Sequence, residues 1–353
     1  MNSFTINKTQ LGNDRPCYII AEMSANHCGN FDKAIEIIHA AKECGADAVK
    51  LQTYRADTIT LDCDKEDFRL PSGNAWESHN TLFSLYEKAY TPWEWHEALI
   101  AEGEKIGIDV FSSPFDISAV EYLENLNMPA YKIASPEITD VALIKCVART
   151  GKPVILSTGL ATYEDIELAV KTLIDNGCSD YALLKCTTAY PAPPEDINLR
   201  TIPDLAEKFN CLSGISDHSL GLGVAISAVT LGARVIEKHF VLDKNEESVD
   251  SFFSLDPTEF KMMVTEVRTV EKALGKISYD LSPASKKNLL AKRSLYISRN
   301  VKKGDIITAD NIQSVRPSYG LAPKYYEQVL GARFTDNFSK GTRLSLDLIE
   351  GDF

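Results

Sequence analysis

The sequence predicts an α/β chain: a closed (β/α)8 TIM barrel followed by a small, mostly β domain. Three observations carry this. From about residue 17 to 275, short β-branched runs alternate with longer helical patterns. The first run leads into Glu22-Met23-Ser24-Ala25-Asn26-His27-Cys28-Gly29 rather than a G-x-G-x-x-G phosphate loop, which weighs against an open doubly wound sheet. Past residue 275 the alternation stops.

The eight strand runs begin with Tyr18–Ala21, Ala48–Leu51, Ile108–Phe111 and Ala130–Ile133. They continue with Pro153–Leu156, Tyr181–Leu184, Cys211–Ile215 and Ala233–Ile236. Between the first two, Phe31–Cys44 places Ala34, Ile37, Ile38 and Ala41 on one stripe of a helix. Gly45, Gly151 and Gly232 stop helices just before strands two, five and eight. Eight βα units in one stretch close most simply into a barrel. The connection Tyr54–Pro92 is long and carries Trp76, Phe83, Tyr86 and Tyr90, so it is expected as an ordered insertion over the barrel mouth. The division expected is a catalytic barrel over 1–275, a linker over 276–290 and a second domain over 291–353. The last has short strand runs at Ser294–Ile297 and Ile306-Ile307, with turns at Lys303-Gly304-Asp305 and Lys340-Gly341-Thr342.

With 37 basic and 50 acidic side chains the formal charge is -13, which disfavours nucleic-acid and anionic-membrane partners. Met1-Asn2-Ser3-Phe4-Thr5 has no basic region before an apolar core, so no signal peptide is expected. The eight cysteines form no C-x-x-C pair and read as free thiols in a reducing cytoplasm.

The functional reading rests on position. Barrel chemistry gathers where the strand C-termini converge, and here every strand ends in polar residues. Strand one ends at Glu22, strand two in Lys50-Leu51-Gln52, and strand three runs into Ser112-Ser113. Strand four leads to Lys132-Ile133-Ala134-Ser135-Pro136-Glu137 and strand five to Ser157-Thr158-Gly159. Strands six, seven and eight lead to Thr187-Thr188-Ala189-Tyr190, Ser216-Asp217-His218-Ser219 and Glu237-Lys238-His239. Residues two apart on a strand share a face, so Lys50 with Gln52, Ser216 with His218, and Glu237 with His239 point alike. His218 and His239 end neighbouring strands about 4.8 Å apart, close enough to share one divalent cation. Two histidines with oxygen donors favour Mn2+ or Mg2+ over structural zinc. Lys50 and Lys132 with Ser113, Ser135, Ser157, Thr188 and Ser216 make a compact donor set suited to a phosphate and a carboxylate.

These motifs resemble the sialic acid synthase family: Ile19-Ile20-Ala21-Glu22, Tyr131-Lys132-Ile133-Ala134-Ser135, Leu156-Ser157-Thr158-Gly159, Ser216-Asp217-His218-Ser219 and Glu237-Lys238-His239-Phe240. The tail is similar to that family's antifreeze-like (SAF) domain through Ser294-Leu295-Tyr296-Ile297, Val301-Lys302-Lys303-Gly304-Asp305 and Val315-Arg316-Pro317. Within the family the likeness is greatest to the pseudaminate-forming branch. It is carried by Asp64–Phe68, Glu195–Leu199, Glu247–Asp256, Arg316–Leu321 and the terminal Gly351-Asp352-Phe353.

The resemblance implies condensation of phosphoenolpyruvate with an open-chain amino-sugar aldehyde, phosphate leaving by C–O cleavage. The branch implies 2,4-diacetamido-2,4,6-trideoxy-L-altrose as the aldehyde; N-acetylmannosamine or a legionaminate precursor is the alternative. It implies that Lys50, Ser113, Lys132, Ser135, Ser157, Thr188 and Ser216 bind phosphoenolpyruvate, and that His218 and His239 hold the metal. Glu22 matches a carboxylate near the reacting carbons. Gln52, Glu137, Tyr190 and Asp250 match sugar-side positions. Arg316 matches a tail arginine that reaches the partner subunit's site in a domain-swapped homodimer. A non-enzymatic sugar-binding or ice-binding protein is suggested by the tail alone, and it has no use for paired histidines beside an anion pocket.

Overall fold

A computed structural model describes residues 3–73 and 76–351; Asp352 and Phe353 of the terminal motif lie outside the described residues. Two compact units divide at Gly275 and Lys276. In the first, eight parallel strands close a barrel: β1 Tyr18–Glu22, β2 Ala48–Thr53, β3 Asp109–Pro114, β4 Tyr131–Ile133, β5 Val154–Ser157, β6 Tyr181–Cys186, β7 Leu212–Asp217 and β8 Val235–His239. Each matches a run read from the sequence, most of them extended at the C-terminal end. Strand β8 closes onto β1, with His239 in register with Glu22. Glu22 in turn stands opposite Lys50 on β2.

The strands are buried along nearly their whole length because helices cover their outer faces. Helix α1 (Phe31–Glu43) shows the local logic. Asn30 caps it by accepting from Lys33 N–H, and the stripe Ala34, Ile37, Ile38 and Ala41 is buried against the barrel. The last helix of the unit, Pro257–Leu274, starts with a capping box between Asp256 and Glu259 and a first-turn proline.

The sequence reading missed one element. Ser3–Ile6 and Thr9–Gly12 form an antiparallel hairpin ahead of β1. Its Phe4, Ile6 and Leu11 are buried in one cluster with Tyr18, Ile20, Ala48 and Phe111, toward the N-terminal end of the strands. Beneath the apolar contacts, Asp109 accepts from Asn7 Nδ2 at 3.0 Å and from the Tyr18 hydroxyl at 2.7 Å. The hairpin seals the end away from the mouth.

The described residues of the insertion after β2 are ordered, with short helices at Ala56–Ile59 and Leu82–Ala89. Trp93 Nε1 donates to the Tyr54 carbonyl at 3.1 Å, which ties the end of the insertion to its start. The second unit, described by itself, has small antiparallel pairs, Ser294–Ile297 with Ile312–Val315 and Arg333-Phe334 with Ile349-Glu350. Ile306 makes an isolated bridge to Arg333 rather than joining a longer strand. Leu295, Ile297, Ile312, Val329, Phe334 and Leu344 form its own buried cluster. Among the described residues, no helix is long and apolar enough to cross a membrane, and all eight cysteines are free.

Two buried histidines brace the scaffold as neutral rings. His27 accepts from Gly29 N–H at Nδ1, so its Nε2 donates to Thr91 Oγ1. His96 meets Thr53 Oγ1 at 2.8 Å. Burial pushes both rings down from 6.5 to about 4, in His27 with help from the charge that His96 would carry. Below pH 6.5 the unfolded chain therefore takes up protons that the folded chain refuses, and stability falls. Buried carboxylates pull the other way, so the test is a difference. Relative to His27→Gln, the wild type should lose about 2 kcal/mol between pH 7 and pH 5. Urea unfolding of both proteins at the two pH values checks it, and parallel curves refute it.

Candidate active site

The strand C-termini and the insertion enclose a cavity of about 310 Å³, within the size range of small-molecule sites. Its floor is a set of buried charges. Lys50 Nζ lies 2.7 Å from Glu22 Oε2 and 3.8 Å from Glu237 Oε2. Lys132 Nζ lies 3.5 Å from Glu237 Oε1, which also accepts from Ser216 Oγ at 2.9 Å. Glu22 accepts from Gln52 Nε2 at 2.9 Å. All four charged side chains are at most 5% exposed.

Burial outweighs Lys50 in its effect on Glu22 and, with repulsion from Glu237, lifts that carboxyl to about 7. Glu237 goes the other way: burial opposes its charge, but Lys132 and Lys50 hold it below the usual carboxylate range. Burial also lowers Lys132. Lys50 is raised, since Glu22 and Glu237 overcome its desolvation. Two ammonium groups therefore face one full carboxylate and one that shares its proton, a balance that attracts an anion.

His218 and His239 stand side by side, ring centroids 5.3 Å apart. Phe253 packs on both, at 6.1 and 4.7 Å. His218 Nδ1 is 3.2 Å from the Thr187 carbonyl, which can only accept, so Nδ1 carries a proton; burial is overcome by Cys186, this carbonyl and Glu237, which raise the ring above its ordinary value, and Nε2 offers a lone pair when the ring is neutral. Cys186 Sγ is 3.7 Å from the same Nδ1. Burial raises that thiol, but the hydrogen bond and charge of His218 prevail and bring it to about 7. Burial, with the neighbouring His218 and lysines, holds His239 well below its ordinary value and neutral. Its Nδ1 is buried without a hydrogen-bond partner, 3.7 Å from Asp250 Oδ2.

Most residues expected in the site line this cavity: Glu22, Lys50, Gln52, Lys132, Ser135, Ser157, Thr188, Tyr190, Ser216, His218, His239 and Asp250. Ser157 Oγ is buried there with no hydrogen-bond partner. Three do not line it. Ser113 is turned aside because its hydroxyl donates to the Lys132 carbonyl on the next strand, at 3.0 Å. Glu137, in the turn after β4, is not a lining residue; burial lifts it to about 7 against the pull of Lys132 and Lys50, and its Oε2 is buried without a hydrogen-bond partner. Arg316 belongs to the second unit, exposed just past the strand Ile312–Val315.

Several lining residues escaped the reading. Glu237 was placed on the inward face by its spacing from His239, but nothing in a linear sequence names its two lysine partners. Ser24 donates to Asp250 Oδ2 at 2.5 Å and receives from Gln52 Nε2 at 3.1 Å, joining two sugar-side candidates. Cys186 sits beside Thr188 and Ser135 at Gly159, where a Cβ would stand 2.2 Å from Thr188 Oγ1 and 2.8 Å from Ser135 Oγ. Any side chain at 159 would push these donors apart. Lys185 turns away, its Nζ donating to the Cys186 carbonyl.

A second buried ion pair supports the site from outside the barrel wall. Lys238 alternates with Glu237 and His239 and so points outward. Its Nζ is 2.8 Å from Asp217 Oδ2 and donates to the Ser219 carbonyl at 2.5 Å. Asp217 Oδ1 accepts from Ser219 N–H and Oγ. The turn that carries His218 is thereby fixed from both flanks.

The sequence matches the NeuB family over residues 37–279 and the SAF domain over residues 292–350. The chain belongs to the NeuB family. It is 47% identical over 347 residues to the pseudaminic acid synthase of Campylobacter jejuni subsp. jejuni serotype O:23/36, covering 98% of this chain and 99% of that one. It is 37% identical over 326 residues to the N,N'-diacetyllegionaminic acid synthase of Campylobacter jejuni subsp. jejuni serotype O:2, covering 91% and 97%. The crystal structure of the spore coat polysaccharide biosynthesis protein SpsE from Bacillus subtilis superposes with a TM-score of 0.68 at 33% identity, covering 99% of this chain and 100% of that one. The sialic acid synthase motifs and the NeuB match thus agree on family and on the barrel with its SAF tail.

Burial of both partners gives the Lys238–Asp217 pair a measurable weight. Lys238→Met leaves Asp217 as an uncompensated buried charge and should cost about 3–5 kcal/mol of stability. Chemical denaturation checks it; a loss below about 1 kcal/mol would mean the pair does not hold the turn.

Proposed function

We propose that the chain is a pseudaminic acid synthase, condensing phosphoenolpyruvate with 2,4-diacetamido-2,4,6-trideoxy-L-altrose and water to give pseudaminic acid and phosphate. One observation carries the reading: two buried lysines, the hydroxyls of Ser135, Ser157, Thr188 and Ser216 and two adjacent imidazoles meet in one cavity, in a chain 47% identical to a pseudaminic acid synthase over nearly its whole length. The lower identity to the legionaminic acid enzyme, 37%, favours the altrose over the alternative sugars.

Lys50 and Lys132 neutralise the phosphate and carboxylate of phosphoenolpyruvate, and the hydroxyls of Ser135, Ser157, Thr188 and Ser216 orient its oxygens. The unpartnered Ser157 Oγ is a donor in need of such an acceptor. Carbon three then attacks the aldehyde carbon and forms the new C–C bond. Water adds at carbon two, the C–O bond breaks and inorganic phosphate leaves. Glu22, already lifted to about 7 by burial, is held further toward its protonated form once an anion lies beside it. It then has a proton to give to the oxygen that forms from the aldehyde. Gln52, Tyr190 and Asp250 face the sugar, tied together through Ser24.

The two imidazoles fit a divalent cation, Mn2+ or Mg2+: one carries an orphaned buried nitrogen and the other has its Nδ1 proton committed to a carbonyl. Among the described residues no cluster of three or more His, Cys, Asp or Glu side chains forms a cage, so water or substrate oxygens would complete the sphere. Bound by His218 and His239, the cation would supply Lewis-acid polarisation of the aldehyde. A homodimer in which Arg316 reaches the partner's sugar, working in the cytoplasm, completes the proposal.

Phosphate release is expected only with phosphoenolpyruvate, the altrose and a divalent cation together. A clear preference for N-acetylmannosamine would overturn the choice of sugar. Replacing His218 and His239 with Ala should abolish turnover, and unchanged turnover would remove the metal assignment. Glu22→Gln should lower kcat by about 10²–10⁴ with little change in the KM for phosphoenolpyruvate.

A further inference from the structure

The insertion after β2 brings two hydroxyls to the cavity. Of its described lining residues, only Tyr54 and Tyr86 carry one, and neither hydroxyl has a hydrogen-bond partner among the described residues. The donors around them are already committed. Gln52 Nε2 gives its protons to Glu22 at 2.9 Å and to Ser24 Oγ at 3.1 Å. Ser24 gives its own to Asp250 Oδ2 at 2.5 Å, and Trp76 Nε1 donates to the Val249 carbonyl at 2.8 Å. Both tyrosine rings are held in place. Tyr54 packs edge-on against Phe115 and Tyr86, with centroids at 5.2 and 5.6 Å. Leu82, Leu85 and Tyr86 share one face of the helix Leu82–Ala89 and line the cavity from it. Burial pushes the Tyr54 phenol up, and the charges of Asp250, Tyr86 and Glu22 push it further; burial and Glu137 do the same to Tyr86. Both phenols are therefore donors at neutral pH.

We infer that Tyr54 and Tyr86 are sugar-binding residues, their hydroxyls donating to the carbonyl oxygen of an acetamido group on the aldehyde. The inference rests on the proposed condensation with an amino-sugar, and it gives a role to two residues that the sequence motifs left unassigned. An acetamido group has three parts: a carbonyl that accepts, an N–H that donates and a methyl that avoids water. This part of the cavity answers each of them. The two phenols match the carbonyl. The Asp250 carboxylate, near enough to act on the Tyr54 phenol, matches the N–H. Leu82, Leu85 and Phe115 match the methyl. A sugar hydroxyl in the same place would use the phenols and the carboxylate but leave the apolar side chains facing water. Donors carried on packed rings lose little freedom when the ligand arrives. Each such hydrogen bond is worth a factor of about two to ten in affinity.

The test uses Tyr54→Phe and Tyr86→Phe, which keep the rings and remove only the hydroxyls. Since neither hydroxyl has a partner in the protein, both variants are expected to melt at the wild-type temperature. Phosphate release is measured with phosphoenolpyruvate, Mn2+ and each candidate aldehyde: the altrose, N-acetylmannosamine and the legionaminate precursor. The aldehyde that the wild type prefers tests the proposed sugar, while the loss each variant shows on that aldehyde tests the tyrosines, so the two readings fail separately. Each variant is expected to raise the KM for the aldehyde about two- to tenfold, with the KM for phosphoenolpyruvate unchanged. Calorimetry with the alcohol made by reducing the preferred aldehyde, which cannot react, is expected to show the same factor in Kd. In analogues of that alcohol each acetamido group in turn is replaced by a hydroxyl. On the analogue lacking the recognised group, the variants are expected to bind within about twofold of the wild type. Wild-type KM and Kd values in both variants overturn the inference, as does a loss that persists in full on every analogue. A melting temperature lowered by several degrees also overturns it, because the hydroxyl would then be bonded within the protein. Absence of both turnover and alcohol binding in the wild type ends both readings.

Discussion

Burial of two ammonium groups in the barrel mouth is the constraint on which the site depends. Lys50 and Lys132 are 3% and 1% exposed, and an unpaired charge at that depth costs several kcal/mol. Two carboxylates answer it, Glu22 from β1 and Glu237 from β8. They can do so because closure brings the first and last strands together: Glu22 is in register with Lys50 on one side and His239 on the other. Without closure, Lys50 would lose one partner and Lys132 its nearest one. The barrel is thus the condition for the charges, and the charges make the mouth a local cationic site inside a chain of net charge -13.

The period-two alternation of β8 divides the electrostatics between two layers. Glu237 and His239 face the cavity, and Lys238 between them faces the helices. The inner layer is incompletely paired: His239 Nδ1, Ser157 Oγ and Glu237 Oε2 are buried without hydrogen-bond partners. The outer layer is paired, with Lys238 on Asp217 and the Ser219 carbonyl and Asp217 accepting from Ser219. Incomplete pairing inside is what leaves affinity for a ligand, and complete pairing outside is what keeps the inner groups in position.

This division also explains what could be read from the sequence. The strands were legible because each is a short apolar run that turns polar at its C-terminal end, and strand parity then gave the inward faces of Lys50, Gln52, His218 and His239. Parity says which way a side chain points, not what it meets. Ser113 points inward yet bonds to the Lys132 carbonyl, and Glu237 points inward yet owes its role to two lysines more than a hundred residues earlier in the chain. The hairpin of Ser3–Gly12 was invisible for another reason. Its strands have four residues each, too few for a periodic signal, and they persist because Phe4, Ile6 and Leu11 find a ready apolar surface at the barrel's closed end. The sequence marked the insertion as aromatic and ordered; which of its side chains reach the cavity depends on tertiary contacts such as Trp76 with Val249.

The charged floor and the insertion answer to different constraints. Every floor residue sits at a strand end, where a register shift of one residue would reverse its face and expose or bury a charge wrongly. Change there is opposed by the whole barrel. The insertion is tied end to end by Trp93 on Tyr54 and held in its middle by the long-range contact of Trp76 with Val249, and its lining residues Leu70, Leu82 and Leu85 lie outside the barrel strands. A fold arranged this way can keep its charged floor while the side chains that the insertion adds to the cavity change. Relatives in one family that are named for different sugar acids, at 47% and 37% identity to the same chain, are what such a separation of strand ends from insertion permits.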